Sequence, residues 1–250
     1  MRIAITFFLL IFSANIIAQS QKTLSDNALQ AVVVTTNNWS TVQGTARLFE
    51  RKSLKSNWKS VGKSFAVVVG KNGLGWALDG SYPEKLNMTV ATADPQKREG
   101  DGKSPAGVFS LTAAFGSSEQ KVNLPFTQLT EATECVDDSK SKEYNKIVDN
   151  KQVAVDWDSS EKMLSVGEQY ASGIFVAHNS EQKQLAGSCI FLHIWKNNST
   201  GTAGCTAMEK SHIERIFNWI DKNKKPVLIQ MPADWYQNYQ KPWKLPKLKP

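Results

Sequence analysis

The chain has 250 residues, a formal net charge of +7 at pH 7 and 41% hydrophobic residues. This length is ample for one hydrophobic core and is typical of one large domain with a small extra piece. The basic residues are scattered and no nucleic-acid-binding motif accompanies them, which argues against nucleic acid as a partner. A positive charge instead suits polyanionic surroundings such as a cell envelope.

Residues 1–18 predict a secretory signal peptide. Arg2 precedes an apolar run over residues 3–12, and Ala18 provides an imperfect small-residue cleavage site. A membrane anchor is the alternative, but the unbroken run is shorter than the roughly 20 residues that span a bilayer. We therefore expect a soluble exported protein, periplasmic or extracellular, without stable membrane insertion.

Short apolar runs separated by turn residues predict a mostly β fold with few helices, either a sandwich or an open barrel. Residues 19–63 predict an entry segment that is too short for a core of its own, and residues 64–232 form the main domain. Asn72-Gly73 predicts a tight turn. The predicted strands are residues 31–36, 45–51, 65–70, 74–77, 108–112, 152–157, 173–177 and 227–231.

A polar cluster follows Cys135 and contains Asp137, Asp138, Tyr144 and Asn145. Paired aspartates could bind a metal, but no further ligand stands at a suitable spacing. We expect either a solvated loop or a wall that recognises an amine.

Two histidines lie in or after apolar strands. His193 belongs to the apolar run 190–195, and His178 directly follows the predicted strand 173–177. The two could face one cleft, in which case His178 is the second candidate for a catalytic base; equally, each could be an ordinary strand or core residue. His212 is expected to face solvent or to pack laterally.

Cys205 follows a glycine-containing turn and is the candidate nucleophile. Thr206 and Glu209 have the spacing of a capping box, which predicts a helix with Thr206 as its N-cap. Free N–H groups and the positive end of the helix dipole at that point would favour the thiolate. The apolar face of this helix would carry Ile213, Ile216, Phe217 and Ile220.

His193 could take the proton of the Cys205 thiol and later pass it to a leaving amine. Gly204 would let the backbone approach a substrate, and N–H groups around Cys205 could form an oxyanion hole. The competing interpretation is an ordinary Gly-Cys pair beside a satisfied core histidine.

The chain has three cysteines. In an exported protein two can pair and leave one reactive thiol, so if Cys205 is unpaired the candidate pair is Cys135 and Cys189; both could equally be reduced. A zinc site of His193, Cys189 and Cys205 is the rival chemistry. Because Cys189 and His193 are four residues apart, a continuous strand would separate them by roughly 13 Å, which is too far to share an ion.

Two motifs resemble the L,D-transpeptidase catalytic domain family of bacterial cell-wall enzymes. One is His193 followed by Gly-Cys-Thr-Ala-Met at residues 204–208, and the other is Arg-Glu-Gly-Asp-Gly-Lys-Ser-Pro-Ala-Gly-Val-Phe at residues 98–109. The resemblance extends from about Phe65 to about Pro232.

The resemblance implies a role for each matched residue. Cys205 corresponds to the acyl-accepting nucleophile, His193 to the general base, and Ile194 to the residue whose carbonyl orients the imidazole. It also implies that residues 105–109 lead into a strand lining the cleft, which makes Arg98, and less so Lys97, a candidate for holding a substrate carboxylate. The remaining candidate substrate contacts are Thr202, Trp195, His178, Asp137 and Tyr144.

The chain also departs from the family pattern. Thr202-Ala203 stands where many members have Ser-His, and Ala207 stands where many have Arg or Asn. This indicates a divergent branch. The function implied is an exported monomeric cysteine acyltransferase without a cofactor or a metal, which forms a thioester with a peptidoglycan stem peptide and transfers it to an amine. The alternatives are a carboxypeptidase or endopeptidase that hydrolyses the same bond, and a non-catalytic cell-wall-binding protein on the same fold.

Residues 233–250 form a basic C-terminal tail with four lysines over residues 241–249. A solvated, extended end is the favoured prediction, and a surface-binding tail is the alternative.

Overall fold

The computed structural model describes residues 27–78 and 94–248. The predicted signal peptide lies outside these residues. The helices are α1 (Lys210–Trp219) and α2 (Ala233–Gln240), with short 3-10 helices at Met163–Tyr170 and Lys222–Lys224. The strands are β1 (Gln30–Thr36), β2 (Gln43–Glu50), β3 (Lys59–Val68), β4 (Leu74–Trp76), β5 (Ser104–Gly116), β6 (Phe126–Gln128), β7 (Thr133–Val136), β8 (Ile147–Asp149), β9 (Ser160–Lys162), β10 (Ser172–Val176), β11 (Phe191–Ile194), β12 (Thr206–Met208) and β13 (Val227–Pro232).

The main sheet closes into a barrel, so the predicted mostly β fold is confirmed. Its strands follow the order β10-β11-β12-β3-β2-β1-β13-β5, and β10 also pairs with β5. Strand β5 makes this closure because it is long enough to pair twice. Its residues Gly107–Ser110 pair with β13, and residues 111–116 pair with β10. Closure leaves neither neighbour as an exposed edge there.

The described part of the predicted entry segment belongs to the barrel. Strand β1 pairs in parallel with β13 and antiparallel with β2, and β2 in turn pairs with β3. All seven residues of β1 are buried. A strand buried on both faces contributes to the core of the whole domain, so residues 27–63 are not a separate unit.

A smaller sheet of β8, β7 and β9 lies beside the barrel. Its centre is the buried carboxylate of Glu134, which accepts hydrogen bonds from Trp157 Nε1 at 3.0 Å and Ser160 Oγ at 2.5 Å, and also contacts Lys162 and Asn150. These partners lower the pKa of Glu134 to about 2 despite its burial. Several donors therefore stabilise the buried charge within this sheet.

Two sequence predictions about secondary structure are wrong. Residues 152–157 are not a strand but a turn followed by irregular chain. The helix predicted to begin at Thr206 begins instead at Lys210, with Glu209 as its N-cap, because residues 206–208 form β12 between β11 and β3. The side chain of Thr206 does not cap a helix; its hydroxyl donates to Gln230 Oε1 at 2.7 Å.

The basic tail is not an extended, solvated end over its described residues. Helix α2 occupies its first half, after which Trp243 and Leu245 are buried against the core. Leu245 N–H donates to Gln240 O at 2.9 Å, and Trp58 Nε1 donates to Lys244 O at 3.2 Å. The lysines dominate the composition, but the apolar residues between them decide where the segment packs. No helix within residues 27–78 and 94–248 is long and apolar enough to cross a membrane.

Candidate active site

Strand pairing brings His193 and Cys205 to the same face of the sheet. In the parallel pair β11–β12, His193 lies opposite Ala207. Cys205 precedes Ala207 by two residues, and residues two apart point to the same side of extended chain. Both side chains line one cavity of about 220 Å³, which we call the histidine cavity. The other residues lining this cavity are Glu161, Val166, Gln169, Tyr170, Trp195, Lys196, Thr200, Gly201, Thr202, Ala203 and Ala207.

The Cys205 thiol is buried, and polar groups surround its sulfur. Cys205 is 6% exposed. Phe191 N–H donates to the sulfur at 3.3 Å, and the thiol donates to the carbonyl of Cys189 at 3.4 Å. Tyr170 lines the same cavity as the thiol.

Burial raises the pKa of the Cys205 thiol well above its usual value, and the nearby charge of Glu161 raises it further. Hydrogen bonds from Phe191 and Tyr170 and the charge of Lys97 act in the opposite direction but are smaller. The expectation that a helix N-terminus favours the thiolate is therefore wrong, because Cys205 precedes a strand. The resting group is a thiol, and it needs a base to react.

His193 has a defined tautomer. Its Nδ1 lies 2.8 Å from the carbonyl oxygen of Ile194, which can only accept, so Nδ1 carries the hydrogen and Nε2 is left with a lone pair. This is the contact that the resemblance implies for Ile194. Burial lowers the pKa of His193 to about 4, although the carbonyls of Ile194 and Gln169 favour the charged form. At neutral pH the imidazole is an uncharged base.

The backbone of the nucleophile is held by hydroxyl groups. Thr202 Oγ1 donates to the carbonyl of Cys205 at 2.6 Å, and Ser104 Oγ donates to the same carbonyl at 2.8 Å. Gly204 N–H donates to Thr202 Oγ1 at 3.1 Å, so this N–H is already engaged. A Cβ at Gly204 would lie 3.2 Å from Ile190 and 3.3 Å from the carbonyl of Lys103. Thr202 and Gly204 therefore shape the turn that presents the thiol.

A second cavity, of about 150 Å³, also reaches Cys205, and we call it the lysine cavity. Cys205, Ala203 and Glu161 line both cavities. Lys97 is only 2% exposed here, and its Nζ pairs with Asp101 at 2.8 Å. The other residues lining the lysine cavity are Glu99, Gly100, Asp137, Ser188, Cys189, Ile190 and Gly204.

Among the remaining predicted substrate contacts, three line a cavity. Thr202 and Trp195 line the histidine cavity, and Asp137 lines the lysine cavity. The Oδ1 atom of Asp137 is buried and has no hydrogen-bond partner among the described residues. An unsatisfied carboxylate oxygen beside the nucleophile suits a donor group of a ligand.

The other predicted contacts line neither cavity. Arg98 is exposed, and its guanidinium donates to Gln96 at 3.0 Å, so Lys97 is the cation beside the thiol. His178 is completely buried, and its Nε2 lies 3.0 Å from the carbonyl of Ala186, so it is not a second base at the cleft. Tyr144 is buried one layer further back, where its hydroxyl donates to Glu99 at 2.5 Å and thereby positions that carboxylate.

The structure pairs Cys135 with Cys189 in a disulfide, with their Cα atoms 6.0 Å apart. Cys205 is the free one of the chain's three cysteines. Because Cys189 is oxidised, a zinc site that includes it is ruled out in this structure. The disulfide ties β7 of the small sheet to the loop that enters β11, next to the thiol.

Sequence reasoning missed Glu161 and Tyr170, which lie beside the nucleophile. Tyr170 OH donates to Glu161 Oε2 at 2.7 Å. The Tyr170 ring packs edge-on against His193 with 5.2 Å between centroids. Neither residue belongs to a recognisable motif, and only the fold brings them to Cys205.

Comparison with known proteins gives one match. The family model described as the L,D-transpeptidase catalytic domain matches residues 45–229, which is most of the chain. No curated protein and no solved structure matches the chain.

Proposed function

The chain belongs to the L,D-transpeptidase catalytic domain family, whose catalytic function is directed at peptidoglycan, and from this premise we propose that it is a cysteine acyltransferase acting on peptidoglycan stem peptides. The observation that carries the proposal is the placement of Cys205, the free thiol, and His193, a neutral imidazole, on one face of adjacent strands along a cavity.

In the first half of the reaction the Cys205 sulfur attacks the carbonyl that joins the third residue of a tetrapeptide stem to its terminal D-residue. Nε2 of His193 accepts the thiol proton and returns it to the departing amine. Backbone N–H groups around Cys205 stabilise the oxyanion. Burial keeps both groups uncharged at rest, so charge develops only as the bond forms.

In the second half an amine attacks the thioester and regenerates the thiol. The two cavities that share Cys205 suit two substrates, a donor and an acceptor. Thr202 and Trp195 are the proposed contacts in the histidine cavity, and Lys97 and Asp137 are those in the lysine cavity. Lys97 offers a cation to a carboxylate, and the unsatisfied Asp137 oxygen offers an acceptor to an amine.

The test is mass spectrometry of disaccharide-tetrapeptide incubated with the protein beside a Cys205→Ala variant. We expect loss of the terminal D-residue and formation of a cross-linked dimer, and neither in the variant. Loss without a dimer would indicate hydrolysis by a carboxypeptidase instead. If neither protein changes the peptide, the catalytic proposal fails and a wall-binding role takes its place. Loss that persists in Cys205→Ala would show that the nucleophile is wrong.

We further propose that the protein is exported and that residues 1–18 are its signal peptide. The disulfide between Cys135 and Cys189 supports this, since disulfides persist in oxidising compartments. N-terminal sequencing of protein secreted by a bacterial host should begin at Gln19. An intact N-terminus would contradict the assignment.

A further inference from the structure

The Tyr170 hydroxyl links a carboxylate to the cavity that holds the reactive sulfur. It donates to Glu161 Oε2 at 2.7 Å, and Tyr170 and Glu161 both line the histidine cavity with Cys205. Its ring is locked because Phe115, Phe191 and His193 each pack against it edge-on, with their centroids 5.2 to 5.5 Å from its own. A phenol held this rigidly can pass a proton between the carboxylate and a thiol in the same cavity.

Glu161 is placed for this contact by the small sheet. On β9 it lies opposite Cys135 of β7, whose disulfide reaches the loop beside the thiol. Glu161 lines both cavities at Cys205. The ionisable groups that face it or share these cavities are Tyr170, Cys205, His193, Asp137, Glu99, Lys97 and Lys196.

We propose that Tyr170 and Glu161 form a second proton path to the Cys205 sulfur, separate from His193. This inference rests on the proposed function, because it assumes that Cys205 is the nucleophile. Tyr170 is a catalytic residue in this proposal because it exchanges a proton with the reacting sulfur, and Glu161 acts through it.

The path moves protons in a balanced way. Rotation about Cβ–Sγ turns the thiol hydrogen from the Cys189 carbonyl to the Tyr170 oxygen. The S–H bond then breaks as Tyr170 takes this proton, and the former Tyr170 proton forms an O–H bond on Glu161. Tyr170 now donates to the thiolate beside the Phe191 N–H. After attack, the departing amine takes a proton from Tyr170, which recovers its own from Glu161, so the net transfer is from sulfur to nitrogen.

The electrostatics of the site agree with this geometry. Burial raises the pKa of Glu161 to about 7, and the negative charges of Asp137 and Glu99 act in the same direction, whereas the bond from Tyr170 lowers it. Glu161 can therefore both accept and return a proton near neutral pH. The lowered pKa of His193, about 4, makes it a weaker base in the same range.

The two paths leave different signatures in the pH dependence of thiolate formation. The state with a thiolate and a protonated Glu161 contains the same number of protons as the state with a thiol and an ionised Glu161. Both states become populated when the pair of Cys205 and Glu161 loses one proton, so the thiolate population rises near pH 7. A thiolate beside protonated His193 would instead appear near pH 4.

The experiment is the rate of iodoacetamide alkylation of Cys205, measured by mass spectrometry on the whole protein from pH 3 to 10. The variants are Glu161→Gln, Tyr170→Phe and His193→Gln. Tyr170→Phe keeps the packed ring and removes only the hydroxyl. Glu168→Gln is the matched control, because Glu168 lies on the same stretch of chain with its side chain 69% exposed. Far-ultraviolet circular dichroism establishes that each variant is folded.

We expect a step in the alkylation rate near pH 7 in the wild type, in Glu168→Gln and in His193→Gln. The step should disappear in Glu161→Gln and in Tyr170→Phe, with at least tenfold slower alkylation at pH 8. A step that survives in Glu161→Gln, or a profile with its only step near pH 4 that is lost in His193→Gln, would overturn the second path. Either result would leave the proposed function intact if Cys205→Ala still abolishes release of the D-residue.

Discussion

At the scale of single residues, burial decides the protonation of the site. The thiol of Cys205, the imidazole of His193 and the carboxyl of Glu161 all have pKa values shifted towards their uncharged forms, and burial is the largest cause in each case. Such a site holds little charge at rest, so the thiol of Cys205 must give up its proton to a neighbouring group during the proposed reaction.

The raised pKa of Glu161 makes a prediction about stability. Its pKa is about 7 in the folded protein against 4.5 for an ordinary Glu, so the folded state holds this proton more tightly. The contribution of Glu161 to stability is therefore full below about pH 4.5 and is lost as the pH rises through about 7. Glu161→Gln cannot ionise. Relative to the wild type, it should gain up to about 3 kcal/mol in free energy of unfolding between pH 4.5 and pH 8.

Urea unfolding at both pH values measures this difference, with Glu168→Gln as the control. A difference between Glu161→Gln and the wild type that does not change with pH would contradict the assigned shift.

The sequence predicted some residues around the thiol and missed others. Cys205, His193 and the Ile194 carbonyl are local in the chain, so a motif can identify them. Arg98 and His178 lie outside both cavities at Cys205. Arg98 is exposed although its neighbour Lys97 is buried, and His178 packs into the interior. Glu161 and Tyr170 have no motif, and their role depends entirely on what packs around them.

At the scale of elements, the small sheet of β7, β8 and β9 contributes a part of the candidate site that the barrel does not contain. It supplies Glu161, and its β7 is tied by the disulfide to the loop that enters β11. The carboxylate of Glu134 fixes the sheet internally through its several donors. The proton path therefore depends on contacts between two sheets.

Removing the disulfide should destabilise the protein. The link spans 54 residues, and a loop of that length accounts for about 4 kcal/mol in the chain-entropy description. We expect Cys135→Ser with Cys189→Ser, made in a Cys205→Ala background to prevent thiol exchange, to lose free energy of unfolding of this order. Denaturant unfolding against Cys205→Ala alone measures it. Equal midpoints and slopes in the two proteins would refute the prediction.

The helix boundary was wrong for a reason that belongs to this scale. Thr206 and Glu209 have capping-box spacing, but residues 206–208 are β-branched or apolar, and they pair with β11 on one side and β3 on the other. Pairing with two neighbours satisfies their backbone groups better than a helix start would. The helix therefore starts only after the strand ends.

At the scale of the whole molecule, the barrel joins segments that are far apart in the chain. Strand β13 lies between β1 and β5, and the chain after it packs back on the core through Trp243 and Leu245. Trp243 stacks on Tyr239 with 4.4 Å between centroids. The C-terminal segment is thus part of the folded domain.

Trp243→Ala should lower the free energy of unfolding by about 3 to 5 kcal/mol, since it removes a large side chain that is 4% exposed. Lys247→Ala, at an exposed position on the same segment, is the control and should change stability by less than about 0.5 kcal/mol. Neither residue lines a cavity at Cys205, so alkylation of the folded thiol should be unaffected. Thermal unfolding and alkylation rates measure the two effects. Similar melting temperatures for both variants would show that the segment is not part of the core.

The sequence by itself determined the mostly β class and the family, and it predicted the nucleophile and the base. Each of these depends on residues close together in the chain or on a short repeating pattern of apolar side chains. Only the tertiary structure decided the protonation of Cys205, the pairing of Cys135 with Cys189, the choice of Lys97 over Arg98, and the approach of Tyr170 and Glu161 to the sulfur. These properties depend on burial and on contacts between distant segments, which a linear pattern does not encode.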